Sequence, residues 1–171
     1  MPSGYQVEIE LKGFEEFKEK LRQAPDIVAD VKYRMMDAMV TIAREKAHME
    51  APIDTGNLRK NIGDNSKVVA MGNDLYGVVG TTITSKGGFP YPKAQEYGSG
   101  IYGERRTPIT PKRGKFLIFK PKGSDRYVFS KKVSGVKPKY FMKKAAEEVK
   151  RRRSEILKIG LEIVNKLSFS S

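Results

Sequence analysis

The chain has 171 residues, no cysteine and a single histidine, His48, a length that suits one domain. These counts exclude a disulfide scaffold, a cysteine-ligated zinc or iron–sulfur site and a histidine metal cluster, so we expect neither metal nor cofactor. Lysine and arginine exceed aspartate and glutamate by 13, and the excess lies in residues 104–171, which carry +14 against −1 for residues 1–103. This asymmetry indicates a polyanionic partner, either nucleic acid or an acidic protein, or else a solvated basic face that only aids solubility.

No membrane or export signal is recognisable in the sequence. No apolar run approaches the ~20 residues of a membrane span, and the first residues, MPSGYQVEIELKG, lack the basic start and apolar core of a signal peptide. We therefore expect a soluble chain, made in the cytoplasm, with no membrane partner.

The first elements in chain order are one strand and two helices. Residues 5–11 alternate apolar and polar side chains, which predicts a strand with one buried face. Residues 14–23 have helical spacing. A long helix is predicted from Pro25 to about Glu50, and its apolar seam recurs at steps of three and four: Val28, Val31, Met35, Met39, Ile42 and Ala43.

A turn and a hairpin follow the long helix. Asp54 or Thr55 is a candidate cap for a short helix, on which Leu58 and Ile62 form an i, i+4 pair, and Gly56 belongs to the same turn. Residues 67–71 and 75–83 are predicted strands, joined by a turn at residues 72–74.

The composition changes at residue 84. Residues 84–114 are rich in glycine and proline, and only residues 92–98 could form a helical turn, so we expect a long flexible loop. Residues 115–121 and 126–133 are predicted strands, and a final helix is predicted over about 140–166. The last helix presents one apolar face, at Phe141, Ala145, Val149, Ile156, Ile159, Ile163 and Leu167.

These elements predict an α+β fold, in which an antiparallel β-sheet is packed by a long N-terminal helix and a long C-terminal helix. We expect one domain over residues 1–171. The first half of the last helix is expected to pack on the domain, and the second half is expected to extend outward, with residues 150–171 as a basic helical extension.

Two basic groups are candidate contacts for DNA or an acidic partner. No helix-turn-helix, zinc-finger or RNA-recognition signature accompanies them, which favours non-specific contact over sequence readout. The candidate residues are Arg105, Arg106, Lys112 and Arg113 in the loop, and Lys150, Arg151, Arg152 and Arg153 in the last helix.

One triplet, Asp54-Thr55-Gly56, is similar to the catalytic triplet of aspartic proteases. That chemistry needs two carboxylates sharing a proton, so a single copy would require a symmetric dimer. The triplet follows a helix and a proline here, which favours a structural turn. No other catalytic pattern is present, so we expect no enzyme activity, and a hydrolase that uses Asp54 stays as a hypothesis.

Four segments in order carry a family resemblance: residues 43–62 (AREKAHMEAPIDTGNLRKNI), 78–82 (VVGTT), 91–100 (YPKAQEYGSG) and 137–149 (KPKYFMKKAAEEV). The series resembles the tail-completion, or head–tail joining (neck), family of long-tailed bacteriophages. Asn61 stands where the family usually has serine, Pro92 where alanine is common, and Lys143-Lys144 where a proline is often found.

The resemblance implies a structural virion protein, assembled in the host cytoplasm, with a small α+β fold. Family members form a ring, typically of six copies, between the tail-tube protein and the head-connector or head-completion proteins, and the genome passes through it. A non-specific nucleic-acid-binding protein is the alternative that the charge alone supports.

Overall fold

The structure is a computed structural model of the chain, and it describes residues 5–6, 25–72, 74–85, 87–121 and 123–168. The backbone divides into two compact units. Residues 1–83 and 141–171 form the first, here named the helical unit, and residues 84–140 form the second, named the basic unit because it holds 14 Lys and Arg but three Asp and Glu. The single domain expected over residues 1–171 stays a prediction.

Helix α1 spans Pro25–Glu50 and is the centre of the helical unit. It begins at proline, whose fixed φ and missing N–H suit a first helical turn. The predicted seam is confirmed: Val31, Met35, Met39, Ile42 and Ala43 are buried, and Val28 is half-buried.

The C-terminal segment forms two helices, α4 over Phe141–Arg151 and α5 over Arg153–Ser168, where one continuous helix was predicted. They run antiparallel to α1: Lys144 contacts Glu50 at the end of α1, and Gly160 lies against Met35 near its start. The predicted outward extension of the second half is therefore wrong.

The second half of the last helix does not extend outward because the chain turns between α4 and α5. The polar run at 150–153 interrupts the apolar face, and the chain turns at Arg152. Ile156 then follows Val149 by two helical turns, and both side chains are buried. The turn therefore lets α5 continue along α1 instead of leaving it.

The rest of the described helical unit consists of helix α2, over Asn57–Asp64, and four short strands. The first of these strands is β1 (Tyr5–Gln6). Strands β2 (Lys67–Met71) and β3 (Asp74–Val78) form an antiparallel hairpin whose turn contains Gly72 at φ +63°. Strand β4 (Gly80–Thr81) pairs antiparallel with β1. The strand predicted over 75–83 is thus divided between two ribbons.

Two other predictions for the N-terminal region lie mostly outside the described residues. Of the strand predicted over 5–11, the structure describes Tyr5–Gln6, which form β1. The helix predicted over 14–23 falls wholly outside the described part of the chain.

The basic unit contains helix α3 (Tyr91–Tyr97), a 3-10 turn at Gly100–Tyr102 and an antiparallel ribbon of β5 (Leu117–Phe119) and β6 (Val128–Ser130). The helical turn expected within residues 92–98 is confirmed. Backbone hydrogen bonds also join the predicted loop to a later segment, from Ser99 N to Val136 O and from Ile101 N to Ser134 O, both at 2.9 Å.

Helices and antiparallel two-stranded ribbons together confirm the predicted α+β class. Among the described residues, every buried hydrophobic side chain lies in the helical unit. The described part of the basic unit buries Pro92 and Glu96 and no other residue.

Candidate interaction surfaces and the turn that supports them

The turn after α1 is built around a glycine. Gly56 occupies the N-cap position of α2 at φ +80°, a conformation that residues with a Cβ rarely adopt, and it has no side chain with which to cap the helix. The N-cap position, predicted for Asp54 or Thr55, is therefore occupied by Gly56. The Thr55 hydroxyl does accept a hydrogen bond from the Asn57 amide at 3.4 Å, but Thr55 lies one residue before the N-cap position.

Arg59 ties this turn to the end of α1. Its Nε and Nη2 both donate to the carbonyl of Ala51 at 3.1 Å, and Nη2 also donates to the carbonyl of Met49 at 3.0 Å. The last carbonyls of a helix have no N–H donor within the helix. The Arg59 guanidinium donates hydrogen bonds to them instead. Sequence reasoning missed this role.

Asn61 joins α2 to β4. Its Oδ1 accepts hydrogen bonds from Thr81 Oγ1 at 2.6 Å and from the Thr82 amide at 2.9 Å. Leu58 and Ile62, on the same helix, are 5% and 0% exposed, which confirms the predicted apolar pair. The segment from Asp54 to Ile62 is therefore a structural joint.

The structure places the acid of the protease-like triplet at the surface. Asp54 lies on the exposed turn before α2. In the described part of the chain, no group of three or more His, Cys, Asp or Glu side chains is placed to hold a metal ion.

The first predicted basic group lies on the surface of the basic unit. Arg105, Arg106, Lys112 and Arg113 are all exposed, and among the described residues none of their side chains has an ion-pair partner. Uncompensated exposed cations are the groups that release counterions from a phosphate backbone.

The second predicted group differs, because two of its arginines are paired with glutamates three residues away in sequence. Arg151 Nε donates to Glu148 at 3.0 Å, and Arg152 Nε donates to Glu155 at 2.7 Å. These bonds lower the pKa of both carboxyls and raise the pKa of both guanidiniums. Lys150 and Arg153 are exposed beside them.

The two basic groups therefore belong to different units, 105–113 to the basic unit and 150–153 to the helical unit. The net charge is also more localised than the sequence halves indicated. The basic unit carries +11, whereas the helical unit, twice as long, carries +2.

Comparison with known proteins adds a family assignment. The sequence model of a family described as "Bacteriophage HK97-gp10, putative tail-component" matches residues 15–98. Residues 15–98 belong to this phage tail-component family. The match confirms the predicted resemblance and includes the Asp54–Ile62 joint and α3. Searches of curated proteins and of solved structures gave no significant match.

The matched segment ends before the exposed basic group at 105–113 begins. Residues 105–113 and the ribbon β5–β6 are thus outside the family match. Within the described residues, no helix has the length and apolar composition needed to cross a membrane.

The ribbon β5–β6 carries a surface that sequence reasoning did not assign. Ile118 and Phe129 are direct cross-strand partners, and are 61% and 63% exposed. Phe116 and Tyr127 directly precede β5 and β6, so the alternation of each strand, continued by one residue, places them on the same side. We call these four exposed side chains the ribbon face: Phe116, Ile118, Tyr127 and Phe129.

The sequence did contain a signal for the ribbon face. A strand with one buried face alternates apolar and polar residues, but Phe116 to Phe119 and Tyr127 to Phe129 are apolar without interruption. Such a run in a two-stranded ribbon exposes apolar side chains on at least one face.

Proposed function

We propose that this tail component is a tail-completion, or head–tail joining (neck), protein. Copies of the chain form a ring, a hexamer in the virion, at the end of the tail. The ring contacts the tail-tube protein on one side and the head-connector or head-completion proteins on the other, and duplex DNA passes through it. The protein acts by assembly and is not an enzyme.

The observation that carries this proposal is the surface of the basic unit. The unit is a third of the chain, yet among the described residues it holds 13 of the 20 exposed large hydrophobic side chains, in addition to its charge of +11. Scattered apolar residues are normal on a surface, but a concentration of them marks an interaction site. A protein that contacts several partners needs such a surface, and the order of the four motifs points to the head–tail junction.

The test is a mass measurement of the chain alone and with purified tail-tube protein, followed by electron microscopy of any assembly. We expect a closed ring, formed by the chain alone or on its partner. A monomer under both conditions contradicts the proposal. A monomer that assembles only on the tail-tube protein supports it.

Non-specific nucleic-acid binding is the second candidate function, and the unpaired cations at 105–113 favour it. It predicts duplex binding with a dissociation constant on the order of 10⁻⁴ to 10⁻⁶ M that weakens steeply with salt. Absence of any gel shift at low salt removes this candidate.

A further inference from the structure

In the described part of the chain, no segment buries the ribbon face. A two-stranded ribbon is at best marginally stable in water unless it packs on something else. Ile118, Tyr127 and Phe129 are each more than 60% exposed in the single chain. Aromatic and aliphatic groups gain little from phosphate, so a protein surface fits this face better than DNA.

Cations flank the apolar side chains. Lys120 and Lys131 come directly after β5 and β6, and Arg126 directly precedes Tyr127. Lys120 is paired with Asp125 at 2.9 Å. The side chains of Arg126 and Lys131 have no ion-pair partner among the described residues. The complementary surface should therefore be apolar with acidic groups at its border.

The helical unit has such a surface between α1 and the α4–α5 pair. Tyr33, Asp37, Thr41 and Glu45 recur at steps of four, so they form one stripe along α1, and this stripe lines an open groove whose other wall includes Ile159. Tyr33 is 53% exposed.

The groove lining carries two arginines, Arg34 and Arg152, and two carboxylates, Asp37 and Glu45. Its two arginines are compensated, Arg34 by Asp30 at 2.9 Å and Arg152 by Glu155. Asp37 and Glu45 have no ion-pair partner within the described part of the chain. The groove thus offers apolar side chains and two unpaired carboxylates. These complement the apolar side chains and unpaired cations of the ribbon.

We propose that the ribbon face of one copy docks in this α1 groove of a neighbouring copy. The inference rests on the proposed ring, and it names the contact that would close it. Because the two surfaces differ, the contact is heterologous, and head-to-tail repetition of a heterologous contact closes a ring when the rotation between copies permits.

Single cysteines test the contact directly, since the natural chain has none. We choose Val128→Cys, Ala38→Cys in the groove and, as the control, the exposed hairpin position Met71→Cys. Val128 points to the other side of the narrow ribbon, so Val128→Cys leaves all four side chains of the ribbon face intact while lying within reach of a short linker. A short bis-maleimide should join the Val128→Cys and Ala38→Cys chains when they are mixed. It should not join Val128→Cys to itself or to Met71→Cys.

Complementation provides the second readout. Ile118→Asp with Phe129→Asp removes the ribbon surface and leaves the groove, whereas Asp37→Lys with Glu45→Lys does the reverse. Each variant alone should form no ring. Because each retains one intact surface, a mixture should contain a one-to-one dimer and nothing larger, provided that circular dichroism shows both to be folded.

The outcomes separate this inference from the proposed function. A ring that forms without the cross-link, or with both double variants, overturns the inference and leaves the proposed function standing. The cross-link without any closed ring, with or without tail-tube protein, supports the inference and overturns the proposed function. A symmetric Val128→Cys dimer, or protection of the ribbon by duplex DNA in place of the cross-link, overturns the inference.

Discussion

Lys144 Nζ donates a hydrogen bond to Glu50 Oε2 at 2.6 Å and so joins the start of α4 to the last residue of α1. Lys46, one turn earlier on α1, donates to the other carboxylate oxygen at 2.9 Å. The bonds from Lys144 and then Lys46 lower the pKa of Glu50 from 4.5 to about 2.

The two hydrogen bonds to Glu50 predict how the stability of the folded chain depends on pH. Because the pKa of Glu50 is lower in the folded chain, its stabilising effect is complete above 4.5 and declines as pH falls toward 2. The difference in free energy of unfolding between the natural chain and Glu50→Gln should follow that course in urea titrations. In a Lys144→Met background, the difference should be smaller at every pH. A difference that grows on acidification contradicts the assignment.

The apolar pair on α2 predicts a large loss of stability. Leu58→Ala or Ile62→Ala should lower the free energy of unfolding by about 2–5 kcal/mol, because each leaves a cavity in a site that is at least 95% buried. Leu161→Ala makes the same deletion at a position that is 51% exposed, and its cost should be much smaller. Equal costs for Leu58→Ala and Leu161→Ala would show that α2 is not packed as described.

Asn61 predicts a hydrogen-bond penalty. Asn61→Ala leaves the Thr81 hydroxyl, in a residue 6% exposed, without its acceptor, and should destabilise the chain by about 1–3 kcal/mol. Asn61→Asp retains an acceptor oxygen and should cost less. Asn57→Ala, at an exposed position of the same helix, is the control for helix propensity. Chemical denaturation measures all three.

Two glycines separate backbone strain from steric contact in the basic unit. Gly135 and Gly123 have φ of +93° and +78°, so alanine strains the backbone at both. At Gly135 a Cβ would also meet the Ser99 carbonyl and lie 2.8 Å from Gly100 N, whereas at Gly123 it meets nothing. Gly135→Ala should therefore speed hydrogen exchange of the Ser99 and Ile101 amides far more than Gly123→Ala. Equal acceleration would contradict the described backbone pairing.

The two basic groups predict different responses to charge removal. Replacing Arg151, Arg152 and Arg153 by serine should leave the thermal midpoint nearly unchanged and weaken a partner contact, because exposed ion pairs contribute little to stability. A collapse of the midpoint would show that the group is structural. Replacing Arg105, Arg106 and Arg113 by serine removes unpaired cations, so it should reduce the salt dependence of DNA binding more.

The sequence predicted best what depends on neighbouring residues. The 26-residue helix α1 and the Leu58–Ile62 pair follow from apolar spacing along one segment, and both are confirmed. The hairpin turn at Gly72 likewise follows from a local glycine signal.

Features that depend on distant residues were not predictable in the same way. Asn61 finds its partners 20 and 21 residues later, and Glu50 finds Lys144 94 residues later. The break at Arg152 was missed because a polar run does not show whether a helix continues or turns. The division of 75–83 between two ribbons depends on pairing with β2 and β1.

The most direct test of the central claim is cryo-electron microscopy of virions from the phage that encodes this chain. The account predicts a ring of identical copies, a hexamer, at the end of the tail that faces the head, with α1 and the two C-terminal helices recognisable in each copy. Density for the chain elsewhere in the virion, or tails that join heads normally when the chain is deleted, would contradict it.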